Sequence, residues 1–470
     1  MVAAITTQER FRGALLGLAA GDALGTTLEF KRPGSFDPID DIVGGGPFKL
    51  EAGQWTDDTS MALCLAASLV EAGDFDLADQ LQRYVRWFRH GYMSSTGSCF
   101  DIGNATKAAL ERFERTGDPY SGSEDPNSAG NGSIMRLAPV PLVFSRYSVQ
   151  RAGKSSGMSS MTTHRAPAAV DACRLLGELI AGATRGHTKD QLLAPDFFHD
   201  GPLVSEIQAI VEGSYRRKEP PAIKGSGYVV QSLEAALWAF DRTSSFREGA
   251  LLAVNLGDDA DTTGAVYGQL AGAFYGEMSI PAEWRERLAL RETIESLSDG
   301  LLRASKLPPT PESFWIEEGQ LLAGKYAGAK EESVSRRKLR ALATSGVTLI
   351  VDLTDADDRL APYGNFLPDL MHRVTIPVRD LRAPSLEQIA AAVEVIDAEI
   401  GQGGIVYIHC WGGCGRTGAV VAAWLVSKGW SAETALDHYA QLSRSVCGRR
   451  CPEMDEQFAR VREFAAGRTA

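Results

Sequence analysis

Prolines at positions 308, 309 and 311 divide the chain into two parts whose hydrophobic patterns differ. Proline removes a backbone donor and disfavours helical geometry in the residue before it, so residues 301–311 predict a boundary. Before this segment almost no strand-like alternation is found, and after it β-branched runs alternate with helical patterns. The sequence therefore predicts an all-α domain at 1–300, a proline-rich linker at 301–312 and an α/β domain with a largely parallel sheet at 313–470.

The overall composition limits the classes of partner. The chain has 470 residues, 44% of them hydrophobic, and a formal net charge of −12, which disfavours nucleic acid as a ligand. Its first residues do not form a signal-peptide pattern, and no apolar run is long enough to cross a bilayer. Seven cysteines without CxxC spacing indicate neither a disulfide framework nor a zinc site. We therefore expect a cytoplasmic protein with no membrane partner.

Two short acidic stretches interrupt apolar sequence in the first domain. V-N-L-G-D-D-A-D-T-T-G occupies residues 254–264, and W-T-D-D-T-S occupies residues 55–60. Buried carboxylates require partners, and hard cations such as Mg²⁺ prefer carboxylate, hydroxyl and water oxygens. The alternative is that each stretch only caps a helix, for which threonine and aspartate are favoured. A cap needs fewer acids, so the pattern favours closure of both stretches around one or two ions.

Seven segments of the first domain follow one another over most of residues 8–280. They are R-G-A-L-L-G-L-A-A-G-D-A-L-G, W-T-D-D-T, F-D-I-G-N-A-T, G-N-G-S-I-M-R-L-A-P, T-H-R-A-P, G-S-G-Y-V-V-Q-S-L-E-A-A-L and N-L-G-D-D-A-D-T-T-G. In this order they resemble the ADP-ribosylglycohydrolase family. The resemblance implies an ADP-ribosyl-acceptor hydrolase with two Mg²⁺ (or Mn²⁺) ions, which would orient the ribose hydroxyls and an attacking water.

The same resemblance implies three groups of site residues. The metal ligands would be Thr56, Asp57, Asp58, Asp259, Asp261 and Thr262. The catalytic carboxylates would be Glu29, in a mobile loop that some members use in catalysis or gating, and Asp101. The ADP-ribose would be held by Asn131, Gly132, Ser133, Met135, His164, Gly227 and Tyr228. Three alternatives stay open: Asp101 as a helix N-cap, His164 as a helix-start residue and Tyr228 as a core residue. Asp258 departs from the family, whose members often have asparagine there.

The segment H-C-W-G-G-C-G-R-T-G, at 409–418, lies between a predicted buried strand and a predicted helix. A glycine-rich turn in this position points backbone N–H groups at one spot, and the helix dipole stabilises a thiolate. Five residues separate Cys410 from Arg416, whose planar guanidinium can bind phosphate through two donors. The motif closely resembles that of the cysteine-dependent protein tyrosine phosphatases, and the short domain resembles the dual-specificity branch.

This second resemblance implies phosphomonoester hydrolysis through a phosphocysteine, without a cofactor. Cys410 would be the nucleophile, with His409, Arg416 and Thr417 in the same motif and Asp380 as the general acid. Substrate would be bound by Trp411, Gly412, Gly413, Cys414, Gly415 and Gln457, the last of which would orient the hydrolytic water. Two interpretations of Cys414 stay open: a protective disulfide with Cys410, or a packed small residue.

The sequence therefore predicts a fusion of two hydrolases. One would act on an ADP-ribosylated protein or an ADP-ribose-derived metabolite, and the other on a phosphorylated protein or small molecule. Two alternatives are a phosphatase for phosphorylated ADP-ribose metabolites, whose all-α domain opens or binds the ADP-ribose part, and a non-catalytic reader of ADP-ribosylated proteins. The acceptor linkage, the phosphosubstrate and the oligomeric state stay open.

Overall fold

The computed structural model describes residues 5–72, 75–198 and 201–469, with side chains described up to residue 467. The chain divides into two compact units. One comprises residues 9–305, and the other comprises the residues after 305 together with those before residue 9. The last helix of the first unit ends at Ser305, so five residues of the predicted linker 301–312 are helical. The domain boundaries at 300 and 312 stay predictions.

The first unit is helical. Its α-helices are α1 (Thr7–Gly25), α2 (Asp57–Glu71), α3 (Leu77–His90), α4 (Asn104–Thr116), α5 (Pro139–Phe144), α6 (Val149–Ser160), α7 (Pro167–Thr184), α8 (Lys189–Leu192), α9 (Ser205–Val211), α10 (Val229–Arg242), α11 (Phe246–Val254), α12 (Ala260–Tyr275), α13 (Ala282–Arg287) and α14 (Arg291–Ser305). The described part of this unit contains no β-strand, which confirms the all-α prediction.

Helices α1 and α12 approach so closely that glycine is required along their contact. A methyl group on Gly21 would lie 2.0 Å from the carbonyl oxygen of Gly264, and one on Gly17 would lie 2.3 Å from that of Gly268. Residues four apart share one face of a helix, so the glycines form a continuous stripe on each. The stripes comprise Gly13, Gly17, Gly21 and Gly25 on α1 and Gly264, Gly268 and Gly272 on α12. This packing brings the end of α1 beside the first turn of α12.

The second unit contains a five-stranded sheet with strand order β1-β2-β5-β3-β4. Its strands are β1 (Ser313–Glu317), β2 (Leu321–Gly324), β3 (Val347–Asp352), β4 (His372–Thr375) and β5 (Ile405–His409). Its helices are α15 (Glu332–Thr344), α16 (Leu386–Gly401), α17 (Gly415–Ser427), α18 (Ala432–Cys447) and α19 (Asp455–Thr469). Only the β1–β2 pair is antiparallel within this sheet, so the prediction of a largely parallel α/β domain is confirmed.

Both faces of the sheet are buried, as expected for parallel strands. Along β3, Leu349 and Val351 pack on one side with α16 and α17, while Ile350 packs on the other side with Tyr363. The neighbouring strands β3 and β5 end together, with Asp352 opposite His409. The segment that follows β5 therefore starts at the carboxyl edge of the sheet, where α/β proteins commonly bind ligands.

Helices of the length and apolarity needed to cross a bilayer are not found in the described part of the chain.

Candidate active sites

Five carboxylates converge in the helical unit. They form two groups that share Asp261: one contains Asp22 and Asp58, and the other contains Glu29 and Asp259. Within each group, one oxygen from every residue lies within 4.8 Å of the others. Helix α1 supplies Asp22, α2 supplies Asp58 and α12 supplies Asp261, so the glycine-mediated approach of α1 and α12 helps to assemble the cluster.

Without a counterion, ionisation of these buried carboxylates is energetically unfavourable. Burial raises the pKa of Asp22 to about 6, and burial together with the charge of Asp259 raises that of Glu29 to about 8. Burial and neighbouring carboxylates also raise the pKa of Asp58 and Asp261 well above the usual range. Asp58 Oδ1 and Asp261 Oδ2 are buried and accept no hydrogen bond from the described residues. Buried oxygens without donors match the ligands that a hard divalent cation requires.

The helix-cap alternative fails on geometry. Thr56 and Asp259 occupy the N-cap positions of α2 and α12, but neither side chain makes a capping hydrogen bond. The Thr56 hydroxyl instead lies 2.9 Å from Asp22 Oδ1 and 3.0 Å from Asp58 Oδ2. Asp22 also accepts from the backbone N–H groups of Thr56 and Thr59, at 2.9 and 3.0 Å. A carboxylate of α1 therefore caps α2.

Asp22 was missed by the sequence reasoning. One sequence feature could have identified Asp22 as a site residue. It is a single aspartate inside the apolar segment of α1, and the small residues of this helix predict close packing. Its two oxygens receive four hydrogen bonds, from the backbone and the hydroxyl of Thr56 and of Thr59. Such a saturated carboxylate is suited to holding the start of α2 rather than to direct chemistry.

A cavity of about 500 Å³ opens beside the cluster. Among the predicted site residues, those that line it are Glu29, Asp57, Asp101, Asn131, Gly132, Met135, His164, Gly227, Asp259, Asp261 and Thr262. Asp258 lies there too, and Asn131 Nδ2 donates to Asp259 Oδ2 at 2.9 Å. Thr56, Asp58, Ser133 and Tyr228 are not among the lining residues. The space suits a nucleotide-sized ligand.

None of the three open alternatives accounts for the position of its residue. The N-cap of α4 is Gly103 rather than Asp101, which lines the cavity with its pKa raised to about 7 by burial and nearby carboxylates. Tyr228 is 40% exposed and so does not belong to the core. His164 does precede α7, but it lies outside the helix and its imidazole is buried against the cavity, so a helix-start role does not account for it.

In the α/β unit, Cys410 directly follows β5 and is 3% exposed. The loop that follows Cys410 is fixed by contacts with other parts of the domain, and α17 begins after it at Gly415. Gly413 has φ +68°, and a methyl group there would lie 2.3 Å from the carbonyl oxygen of Gly324, so glycine is required. The Tyr439 hydroxyl donates to the Gly413 carbonyl at 2.6 Å. The strand–loop–helix arrangement therefore fixes the turn around Cys410 at the start of a helix, a position in which backbone N–H groups can bind an anion.

Arg416 lies between two carboxylates. Its Nη1 is 2.7 Å from Asp358 Oδ2 and 2.8 Å from the carbonyl oxygen of Val378, while its Nη2 is 2.9 Å from Asp380 Oδ1. The two N–H donors of Nη1 are occupied, which leaves Nε–H and the N–H groups of Nη2 for a ligand. The Asp358 side chain is 2% exposed and that of Asp380 is 43% exposed. Asp358 was not predicted, although it follows β3, the strand beside β5.

The other predicted residues of this site differ in their surroundings. His409 is buried, and its Nδ1 donates to the Cys410 carbonyl at 3.1 Å. Thr417 Oγ1 is buried without a hydrogen-bond partner among the described residues. Gln457 accepts from the backbone of Glu453 and Met454. Trp411 is 54% exposed beside the loop. The Gln457 amide is therefore held by backbone groups next to Gly415.

The predicted disulfide between Cys414 and Cys410 is wrong, whereas Cys414 is packed in the core as the second interpretation has it, and one disulfide is present although the cysteine spacing indicates no disulfide framework. Cys414 is bonded to Cys451, while Cys410 and Cys447 are free thiols. The two partners are separated by 37 residues. The turn after α18 returns Cys451 to the loop, and residue spacing alone could not show this proximity. The bond ties the start of α17 to the turn before α19.

Comparison with known proteins assigns each unit. A family model described as ADP-ribosylglycohydrolase matches residues 3–310, and one described as polymorphic toxin system, DSP-PTPase phosphatase, matches residues 326–430. The ADP-ribosylarginine hydrolase Tri1 of Pseudomonas putida (strain GB-1) is 49% identical over 293 residues, covering 62% of this chain and 78% of that protein. Tri1 of Serratia proteamaculans (strain 568) is 45% identical, covering 62% and 79%.

A solved structure of an ADP-ribosylglycohydrolase-related protein complex is also similar. It is 46% identical, with a TM-score of 0.57, and the match covers 64% of this chain and 99% of that one. Both resemblances inferred from the sequence motifs are thereby confirmed.

Proposed function

The chain belongs to the ADP-ribosylglycohydrolase family, and from that premise we propose that its helical domain hydrolyses the bond between ADP-ribose and a protein arginine side chain. In the same proposal, the α/β domain hydrolyses a phosphomonoester. The observation that carries the first activity is the carboxylate cluster, with two unpartnered buried oxygens, beside the cavity. The relatives named ADP-ribosylarginine hydrolase support arginine as the acceptor.

The donor set favours two divalent cations, Mg²⁺ or Mn²⁺. The two carboxylate groups share Asp261, so this residue would help to hold the ions together with members of both groups. Asp58, Asp259 and Glu29 would be further ligands, and Thr56, Asp57 and Thr262 would complete the set inferred from the family. Bound cations of this kind supply charge that orients ribose hydroxyls and makes water a better nucleophile. Asp22, saturated by four hydrogen bonds, would position α2.

Asp101 is suited to move the proton in this reaction. It lines the cavity, belongs to neither carboxylate group and has a pKa raised to about 7. Water adds its oxygen to the anomeric carbon, the carbon–nitrogen bond breaks, and the departing guanidine nitrogen takes up a proton. A carboxyl that titrates near neutrality can accept the proton from water and return it to that nitrogen. Asp258, exposed at the same cavity, would attract the cationic acceptor.

The test is release of ADP-ribose from an arginine-ADP-ribosylated peptide. Wild type should release it with Mg²⁺ or Mn²⁺ and lose this activity in excess chelator. Asp261→Asn should be inactive in either condition, whereas Asp190→Asn, which removes an exposed carboxylate outside the cavity, should match wild type. Full activity in chelator would refute the metal assignment. Binding of the peptide without release would favour a non-catalytic reader.

Phosphate transfer in the second domain would use groups that lie close together. The Cys410 sulfur attacks phosphorus, the ester bond breaks, and Asp380 protonates the leaving oxygen. Water then cleaves the phosphocysteine, releasing phosphate and the thiolate. The remaining donors of Arg416 would bind the phosphate oxygens, and the unpartnered Thr417 hydroxyl would stabilise the departing thiolate. Asp380 suits the acid role because its side chain, unlike that of Asp358, is open to a leaving group.

A colorimetric aryl phosphate tests this second activity. Cys410→Ser should abolish turnover, and Cys64→Ser, which removes a thiol in the helical domain, should leave it unchanged. Chelator should have no effect, because the proposed chemistry uses only protein groups. Turnover by Cys410→Ser would refute the nucleophile assignment.

A further inference from the structure

Arg136 is a buried cation beneath the cavity of the helical domain. It is 1% exposed, and it forms no ion pair with a carboxylate among the described residues. Its Nη1 donates to the Gly132 carbonyl at 2.8 Å, and its Nη2 donates to the hydroxyls of Thr162 at 3.2 Å and Thr163 at 2.7 Å. Its guanidinium carbon lies 4.5 Å from the centre of the Tyr84 ring. Arg136 is thus fixed by neutral acceptors.

The donor count at Thr163 determines which nitrogen of His164 carries a proton. Thr163 Oγ1 accepts from Arg136 and lies 2.9 Å from His164 Nδ1. A hydroxyl has one hydrogen. If Nδ1 were protonated, Thr163 would receive two donors and its own hydrogen would have no acceptor among the described residues. The Thr163 hydroxyl and Nδ1 are both satisfied when the hydroxyl donates to Nδ1, which places the imidazole proton on Nε2.

The opposite edge of the imidazole faces the cavity. His164 is 3% exposed, lines the cavity, and makes no hydrogen bond through Nε2 to the described residues. A methyl group on Gly132 would lie 2.7 Å from its Cε1 and 3.2 Å from its Nε2, so glycine leaves this edge open. Burial, reinforced by the charge of Arg136, lowers the pKa of His164 to about 3, so the ring is neutral near pH 7.

We infer that Arg136 and Thr163 hold His164 as the Nε2–H tautomer, which makes it a permanent hydrogen-bond donor to an oxygen of the ligand in the cavity. Arg136 and Thr163 are positioning residues, and only His164 would touch the ligand. The identity of that ligand as an ADP-ribosyl group, whose hydroxyl and phosphate oxygens are acceptors, rests on the proposed function. The tautomer itself does not, because it follows from the contacts of Thr163.

Nitrogen-15 NMR of the full chain tests the tautomer directly. Long-range proton–nitrogen correlation should show an unprotonated Nδ1 and a protonated Nε2 for His164, unchanged between pH 5 and pH 8, with the signals assigned by their loss in His164→Gln. Thr163→Val removes the hydroxyl at nearly constant volume and should give mixed tautomers. Thr162→Val is the matched control, since Thr162 also accepts from Arg136 but makes no hydrogen bond to His164. A protonated Nδ1 in wild type, or no change in Thr163→Val, would overturn the inference.

Calorimetric titration with ADP-ribose tests the role of the donor. Thr163→Val should bind about tenfold more weakly than wild type, Thr162→Val should match wild type, and Thr163→Ser should restore most of the affinity by restoring the hydroxyl. Equal affinity in all variants would overturn the donor role. If wild type failed to bind ADP-ribose, the proposed function would fail, while the NMR result would still decide the tautomer.

Discussion

In the helical domain, five carboxylates converge without an ion pair to any described arginine or lysine, whereas in the α/β domain Arg416 lies between two carboxylates. The first site therefore lacks a positively charged side chain among the described residues, whereas the second contains one, Arg416. The first is also assembled from residues more than two hundred positions apart, while the second lies largely within ten consecutive residues. The difference indicates that the first site depends on long-range packing and on a bound cation, and the second on a local turn.

The largest contrast should come from breaking the α1–α12 contact. In Gly21→Val the side chain would meet the carbonyl of Gly264, which is backbone and cannot move aside cheaply. We expect a loss of at least about 4 kcal/mol in the free energy of unfolding of the helical domain, in the range of severe overpacking. Urea unfolding followed by circular dichroism measures this, and ADP-ribose release should disappear with it.

The matched control is Gly103→Ala. Gly103 has φ −62°, and a methyl group there meets nothing within 4 Å, so stability should fall by no more than about 1 kcal/mol, the cost of replacing glycine by alanine at a helix N-cap. Phosphatase activity should survive in Gly21→Val. A stable Gly21→Val variant would show that the close approach is not required.

The second contrast concerns the covalent link at the phosphatase loop. In the chain-entropy account, a disulfide closing 37 residues adds roughly 3–4 kcal/mol, so Cys451→Ser should lower the stability of the α/β domain by up to that amount. Cys447→Ser removes a neighbouring free thiol and should have a much smaller effect. Unfolding with and without reductant measures both variants. Identical curves for wild type in the two conditions would show that the bond contributes nothing to stability.

These two contrasts also show what sequence could predict. The phosphatase motif was found because Cys410, Arg416 and their glycines are contiguous, and the strand before them has a clear pattern. The acidic stretches were found because carboxylates are conspicuous in apolar sequence. Asp22 and Asp358 were missed because each reaches its site through tertiary packing, from a helix and from a neighbouring strand. The Cys414–Cys451 bond was missed for the same reason.

The secondary structure shows the same limit. Residues 313–324 form the hairpin of β1 and β2, and Leu321–Gly324 pairs with β5 on its other edge. Four residues are too few to show an alternating pattern. Helices are easier to predict from sequence, since periodicity accumulates over several turns.

The third contrast is the effect of pH without metal. The folded pKa values of Asp22 and Glu29 are raised to about 6 and 8, so the folded state binds more protons than the unfolded state above pH 4. The stability of the helical domain in chelator should therefore be highest near pH 4–5 and fall by about 2 kcal/mol or more as pH rises to 8. Thermal unfolding at several pH values measures this.

Added Mg²⁺ or Mn²⁺ should raise the melting temperature more at pH 8 than at pH 5, because it neutralises the ionised carboxylates. The Asp58→Asn variant should show a flatter pH dependence in chelator. An equal metal effect at both pH values would contradict the electrostatic comparison of the two sites.

The smallest and most specific contrast separates the two carboxylates on Arg416. A general acid must be protonated to act, so Asp380→Asn should lower kcat for poor leaving groups and abolish the alkaline limb of the kcat/KM profile. The Asp358 side chain is buried and holds the guanidinium and the backbone N–H of Asp355, so Asp358→Asn should raise KM by about tenfold and keep that limb, since one charge-assisted hydrogen bond to Arg416 is weakened. Rates over pH for aryl phosphates of different leaving-group pKa measure both effects. If Asp358→Asn lost the alkaline limb while Asp380→Asn kept it, the two roles would be exchanged, and the acid would be the carboxylate that the sequence did not reveal.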